Sequence, residues 1–404
     1  MKLIEGKYAS AKVFTDNIEE SASQQILSLC NQSFVDGCKI RIMPDVHAGT
    51  GCVIGFTADL GNKVIPSIIG VDIGCSMLVA ELGKNHIDPK KLDEVIHERV
   101  PAGMAVHEEP TLEENFLDDL TCKDSLHNID RIVRSLGTLG GGNHFIELDK
   151  DEDDNQYLVI HTGSRNLGKQ VAEYYQNVAT SNLKGKNKKK EAVDALINQL
   201  KAEGREKEIS QKLSELNFKF PDIPNELCYL EGKDREAYLH DMKICQNFAT
   251  MNRLHIMNEI LNGIGLQEKI PEIHFFQTVH NYIDMSDNII RKGSVSAKKG
   301  ERLIIPLNMK DGSLICIGKG NPDWNCSAPH GAGRMYSRVA AKKAFSIDEF
   351  KKQMDGIYST SVNEDTLDEC PMAYKPSQEI IDAISPTVEI INHIKPVYNF
   401  KAGE

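Results

Sequence analysis

Between residues 38 and 82, apolar stretches alternate with glycine-containing breaks. CKIRIMP, GCVIGFTADL and SMLVAEL are rich in β-branched and aliphatic residues, and GT, GN and IG separate them. That pattern predicts strands joined by tight turns. Residues 87–98 and 111–136 carry helical patterns. The glycine-dense GTLGGGNHFIEL (137–148) runs into a strand, and the acidic DKDEDDN (149–155) reads as a solvated hairpin turn. YLVIHTGSRNLG (157–168) is a buried strand that ends in a glycine loop, with a helix from about Lys169.

The pattern then changes. Residues 184–215, beginning KGKNKKK, read as charged helix, and 184–235 as an insertion whose charges form chiefly a solvated face. A long helix covers 234–262. Its stripe of Leu239, Met242, Cys245, Phe248, Asn252 and Ile256 has the spacing of a buried face. ERLIIPLNMKDGSLICIGKGN (301–321) predicts two strands around a turn, followed near the end by a helix over 377–393 and a short strand, VYNFK. Strands and helices alternate irregularly, and no Ser/Pro-rich linker divides the chain. The expectation is one α+β domain over 1–404 carrying the insertion.

Composition narrows the function classes. With 404 residues, 40% hydrophobic and 26% charged, the chain reads as soluble and globular. It lacks an apolar leader, and no run reaches the roughly 18 apolar residues of a membrane span. A cytoplasmic location is expected, with no membrane partner. The ten cysteines are scattered without a CxxC pair, so they read as reduced thiols rather than a zinc ribbon or redox site. The formal net charge of −12 argues against a broad nucleic-acid-wrapping surface, so any such contact must be a local cationic patch.

Candidate chemistry sits at strand–loop junctions. His144 (GGGNHF), His161 (VIHTGSR), His280 (QTVHNY) and His330 (APHGAGR) each lie near Gly or Asn, where backbone can approach a ligand. One such histidine is most often a core residue; four of them point to a site. In GVDIGC, Asp72 and Cys75 can reach one metal, or two that share the sulfur. Cys with His suits zinc, and the added carboxylate suits manganese or cobalt. Asp45, in IMPDVHAGTG with His47, reads as a ligand, a carboxylate fixing a histidine tautomer, or a turn cap.

His330 has the surroundings of a phosphorus nucleophile. A neutral imidazole attacks through one nitrogen when the other is held by a carboxylate or carbonyl. CSAPHGAGRMYSR (326–338) predicts a helix start just after His330, with open backbone N–H groups and with Arg334 and Arg338 on its first turns. Arg165 is a further phosphate clamp. Neither GxxxxGK[ST] nor GxGxxG occurs, so a nucleotide would bind by another route.

MPDVHAGTG, GVDIGC, GTLGGGNHF, VIHTGSRNLG, YLHDMKICQ, VHNY, GKGN and HGAGRMYSR, in this order from about Met43 to the C-terminus, closely resemble the RtcB family of RNA ligases. The resemblance implies mixed sheets flanked by helices around a central active-site cleft. It also implies joining of an RNA 3′-phosphate or 2′,3′-cyclic phosphate to a 5′-hydroxyl, in tRNA splicing or RNA repair, with GTP as co-substrate. Two manganese ions would be held by Asp72, Cys75 and His144 and by Cys75, His161 and His280, with Cys75 bridging. His330 would be guanylylated and Asp45 would orient it. Asn143 and Arg165 would lie near the reacting phosphates, and Arg165, Arg334 and Arg338 would meet RNA. The nucleotide would contact Asn143, His144, Asn281, Pro306, Asn308, Met309, Ser313, His330, Gly331, Ala332, Gly333 and Lys401. A monomer is expected, with RNA ends and GTP or GMP as its partners.

One stretch departs from the family. PLNMKDGS (306–313) stands where many members read PGSMG followed by a serine, so Leu307, Asn308, Lys310 and Asp311 replace smaller residues while Ser313 is kept. This change leaves room for a dinuclear metal phosphoesterase that opens cyclic phosphates without nucleotide. A non-catalytic RNA-end binder is a third class, which the intact ligand set disfavours.

Overall fold

The structure, a computed structural model, describes residues 1–216 and 221–402. Residues 217–220 of the expected insertion, and 403–404, lie outside the described residues. In chain order the strands are β1 (Lys2–Glu5), β2 (Ser10–Val13), β3 (Ile40–His47), β4 (Ile54–Asp59), β5 (Ser76–Gly83), β6 (Phe145–Lys150), β7 (Gln156–Thr162) and β8 (Phe275–Val279). They continue as β9 (Asn281–Asp284), β10 (Ile289–Lys292), β11 (Ser294–Ser296), β12 (Arg302–Asn308), β13 (Gly312–Gly318), β14 (Ser327–Pro329) and β15 (Val388–Lys401).

These strands make three sheets. One has the order β1-β2-β3-β4-β10-β9, parallel only between β2 and β3. The larger has the order β12-β13-β15-β6-β7-β5-β8 and is antiparallel throughout. A β11–β14 ribbon makes the third. The fold is α+β, as expected.

Helices cover the sheets where apolar faces demand it. The long helix Gly232–Gly263 buries all six residues of its predicted stripe, packing upstream against the first sheet's core and downstream, through Ile256 and Ile260, against the larger sheet. Helix Pro89–Arg99 starts where Asp88 caps Lys90 N. Within the expected insertion, helices Lys186–Ala202 and Ile209–Glu215 form.

Three sequence expectations are corrected. Residues 111–136 are not one helix: 3-10 turns at Glu114–Leu117 and Lys123–Ser125 precede a short helix, Ile129–Val133. The buried carboxylate of Asp241 accepts from the backbone N–H groups of Thr121 and Cys122 (2.8 and 3.0 Å), holding the chain in turns there. The helix expected over 377–393 stops at Ile384, because Pro386 and the following β-branched run extend β15 back to Val388. No helix begins at His330; the first helical residue is Arg338, capped by Ser337.

Candidate active site

Antiparallel order explains how distant motifs meet. Neighbouring strands β6, β7, β5 and β8 run in alternating directions. The start of β6, the end of β7, the start of β5 and the end of β8 therefore lie at one edge. His144 precedes β6, His161 lies near the end of β7, Cys75 precedes β5 and His280 follows β8.

There Cys75 Sγ lies 3.2 Å from His161 Nε2 and 3.6 Å from His144 Nε2. His161 Nε2 lies 3.3 Å from His280 Nε2, and His144 Nε2 lies 2.9 Å from Asp72 Oδ2. Cys75 and the three histidines are buried. The Nδ1 atoms of His144 and His161 donate to the carbonyls of Leu139 (2.9 Å) and Asn143 (3.2 Å). That tautomer turns both Nε2 lone pairs into the cluster. His144 Nε2 and Asp72 Oδ2, 2.9 Å apart, can share a proton or, in its place, a metal cation, and the sulfur adds a third donor.

Burial drives the pKa values of His161 and His280 well below the ordinary imidazole range, which keeps them neutral and fit to bind metal. Burial, then the Asp72 carboxylate, push the Cys75 thiol well up, a shift that a cation would reverse. Burial opposes ionisation of Asp72, but the His144 hydrogen bond and nearby Arg165 bring it down to about 2. The Cys75–His144–His161 cluster can hold a metal ion, its ligand atoms lying within 4.8 Å of one another.

Adjacent residues of the long helix clamp this edge. Asn252 Oδ1 accepts from Gly137 N and Thr138 N (2.7 and 3.0 Å), while its amide donates to Thr138 O and Gly163 O (3.1 and 3.2 Å). Arg253 donates to Thr162 O (2.8 Å), Gly74 O (3.2 Å) and Gln277 Oε1 (2.7 Å). Together they bind every segment that carries a cluster donor. Arg165 holds a positive φ of 55°, rare for a long side chain. Its guanidinium fills the space a side chain at Gly140 would need and approaches His144 Nδ1 at 3.2 Å.

Beside the cluster, His330 Nδ1 lies 2.7 Å from Asp45 Oδ2, which also accepts from the His330 backbone N–H at 3.2 Å. Asp45 is fully buried, and the His330 and His280 ring centroids are 4.9 Å apart. Gly333, at φ 78°, passes so close that a Cβ would sit 2.2 Å from Asp45 O, so only glycine fits. His47 hydrogen-bonds Asp45 O through Nδ1, and burial brings its pKa down to about 4.

His330 opens into a cavity of about 550 Å3, the size of a nucleotide site. Of the residues expected near a nucleotide or RNA, Asn143, Pro306, Asn308, Met309, His330 to Gly333, Arg334, Arg338 and Lys401 line it. Others lie elsewhere. Ser313 is buried in β13, paired with Pro306 and Ile394, with its hydroxyl unpartnered among the described residues. Asn281 spends its amide on Asp72 O and Gly293 N, and Arg165 sits at the cluster.

Arg334 is committed internally, donating to Glu369 Oε1 (2.8 Å) and Asp368 O (2.6 Å). Arg338 reaches Asp368 Oδ2 at 3.3 Å. Sequence reading missed Glu369 and Glu147, both on the cavity wall. Glu369 joins Arg334 to Lys401, whose Nζ lies 2.7 Å away. Glu147 had a signal, being the one acid in FIEL, two residues from Phe145 and so on the same strand face.

An α+β scaffold with a sulfur–imidazole cluster able to hold a metal ion, beside a histidine-bearing cavity of nucleotide size, makes a site suited to phosphoryl chemistry. The chain belongs to the RtcB family of RNA ligases: the family profile described as tRNA-splicing ligase RtcB matches residues 28–126 and 113–402. It is 30% identical over 436 aligned positions to RNA-splicing ligase RtcB of Escherichia coli K12, covering 98% of both chains. It is 28% identical to tRNA-splicing ligase RtcB of Nanoarchaeum equitans (84% of this chain, 83% of that one) and 23% identical to that of Archaeoglobus fulgidus (91% and 88%). Among the described residues no helix is long and apolar enough to cross a membrane.

Proposed function

We propose that this chain joins an RNA 3′-phosphate, or a 2′,3′-cyclic phosphate after hydrolytic opening, to a 5′-hydroxyl, with GTP as co-substrate and manganese as cofactor. The observation that carries the reading is the Asp45–His330 pair opening into the cavity beside the cluster. With Nδ1–H held by Asp45, the His330 Nε2 lone pair is free to attack. It bonds the α-phosphorus of GTP as the bond to the β-phosphate oxygen breaks and pyrophosphate leaves. An oxygen of the RNA 3′-phosphate then takes GMP, breaking the P–N bond. Finally the 5′-hydroxyl attacks the activated 3′-phosphorus, GMP leaves, and the hydroxyl proton passes to solvent.

Asp72, Cys75, His144, His161 and His280 would hold two manganese ions with Cys75 shared, supplying charge neutralisation at the reacting phosphates. Asn143 and Arg165 serve the phosphate end. The HGAG backbone, Pro306, Asn308 and Met309 form the nucleotide wall. Guanine presents N–H donors beside an acceptor oxygen, which Glu147 and Lys401 complement from the cavity wall. The reading treats 1–404 as one catalytic domain with 184–235 inserted, acting as a cytoplasmic monomer in splicing or repair.

The test is labelling with α-32P GTP and manganese. Acid-labile label on the protein that disappears in His330→Ala is expected; label that persists in that variant rejects the nucleophile. A second reading, a metal phosphoesterase without covalent nucleotide, draws on Ser313 being turned away from the cavity. It predicts cyclic-phosphate opening with no label.

A further inference from the structure

A second cavity, of about 540 Å3, lies between the long helix, the β9–β10 hairpin and the start of β12. Its lining shares no residue with the first cavity, yet it includes Gly74 and Val279, the immediate neighbours of Cys75 and His280. It therefore abuts the metal-bearing edge independently of the nucleotide cavity.

The lining mixes apolar and polar groups, and on the long helix three of its polar side chains are uncommitted. Lys243, Gln246 and Asn247, on successive turns of the long helix, have no side-chain partner among the described residues. The buried Nε of Arg302, on the opposite wall, is likewise unpartnered. Tyr282 lines the cavity with Arg291 5.7 Å from its ring. The acids on the wall are already spent: Asp284 pairs with Lys298 Nζ at 2.6 Å, and Glu301 accepts from Lys298 N at 3.0 Å and from Ser296. Arg302 is otherwise held by Glu81 and lies over the Phe276 ring. What remains free is one ammonium and two amides, beside the Tyr282 ring.

That set matches a nucleotide of single-stranded RNA. Amides read base edges, aromatic rings and guanidinium planes stack bases, and a cation meets phosphate. We propose that this groove seats an RNA nucleotide flanking the joined end, with Lys243 on its phosphate and Tyr282 and the amides of Gln246 and Asn247 on its base. The proposal rests on the ligase reading above. It supplies an uncommitted RNA contact in a chain whose Arg334 is internally neutralised.

The test uses the full chain and 3′-phosphorylated oligoribonucleotides of increasing length. Lys243→Glu and Asn247→Ala, both at exposed positions, should each weaken oligonucleotide binding roughly tenfold. Lys243→Glu should also flatten the salt slope by about 0.7. Self-guanylylation with GTP alone should be unchanged. A 4-thiouridine near the 3′ end should crosslink within Tyr282–Ser286. Binding and salt slope equal to the parent, or crosslinks confined to other segments, overturns the groove assignment. Loss of guanylylation in the parent chain would instead strike at the ligase reading.

Discussion

The Nδ1 of His330 and the Oδ2 of Asp45 are 2.7 Å apart, joining residues 285 positions distant in sequence. The carboxylate fixes which nitrogen carries the proton and therefore which one attacks. Asp45→Asn can present its amide N–H to Nδ1, which forces the proton to Nε2 and removes the nucleophilic lone pair. The expected result is at least about a hundredfold loss of guanylylation rate, with folding retained. A labelling time course checks it, and a near-parental rate would mean that Asp45 serves packing alone.

Cys75 Sγ lies 3.6 Å from His144 and 3.2 Å from His161, so it links the two halves of the donor set. Cys75→Ala should reduce bound manganese below the parent stoichiometry and abolish ligation. Elemental analysis after dialysis reads the first effect, and a joined-product assay the second. Full occupancy by manganese in this variant would contradict a shared sulfur ligand.

How much of this was legible in the sequence follows from how local each feature is. The clustering of Cys75, His144 and His161 was readable because each lies near a glycine or asparagine at its own strand terminus, and the long-helix stripe because its spacing is regular. Features set by distant partners were not. The turns over 111–136 depend on Asp241, more than a hundred residues away. Ser313 turns inward because of its register with Pro306 and Ile394. The short polar strands Lys2–Glu5 and Ser10–Val13 owe their pairing to tertiary packing and carry little signal of their own.

Arg334 illustrates the same limit. As a cation beside HGAG it reads as a phosphate contact, yet Glu369 and the Asp368 carbonyl hold its guanidinium. Burial opposes ionisation of Glu369, but Lys401 and Arg334 bring its pKa down to about 2. Arg334→Ala should therefore cost roughly 2–3 kcal/mol of stability by taking from that buried carboxylate its closest guanidinium, leaving Lys401 and the more distant Arg338. Urea denaturation measures it, and an unchanged midpoint would place the arginine's value elsewhere.

Arg253 offers a sharper probe of positioning. Its donors reach the carbonyls of Gly74 and Thr162 and the side chain of Gln277. Lysine keeps the charge but cannot span this fork. Arg253→Lys should weaken manganese binding about 10–100-fold, as removal of a ligand-supporting contact does, with all five donors in place. Calorimetric titration of the apo chain checks this. Equal affinity would show that the ligand loops hold their own geometry.

The last prediction concerns a cost rather than a support. Asp149 is fully buried in β6, neither carboxyl oxygen has a partner among the described residues, and Glu147 lies on the same strand face. Burial first, and Glu147 second, raise the Asp149 pKa well above the carboxylate range. An unfolded chain ionises this group near pH 4. As pH rises from there, the unfolded state sheds a proton that the folded state retains, so Asp149 destabilises the fold increasingly toward neutrality. Asp149→Leu should therefore stabilise the fold more at pH 8 than at pH 4.5. Denaturation of parent and variant at both pH values measures the difference. An equal effect at the two would mean that the carboxyl titrates normally, through water or a cation reaching the interior of the sheet. In that case the acid beside Glu147 would belong to the working cavity rather than to the core.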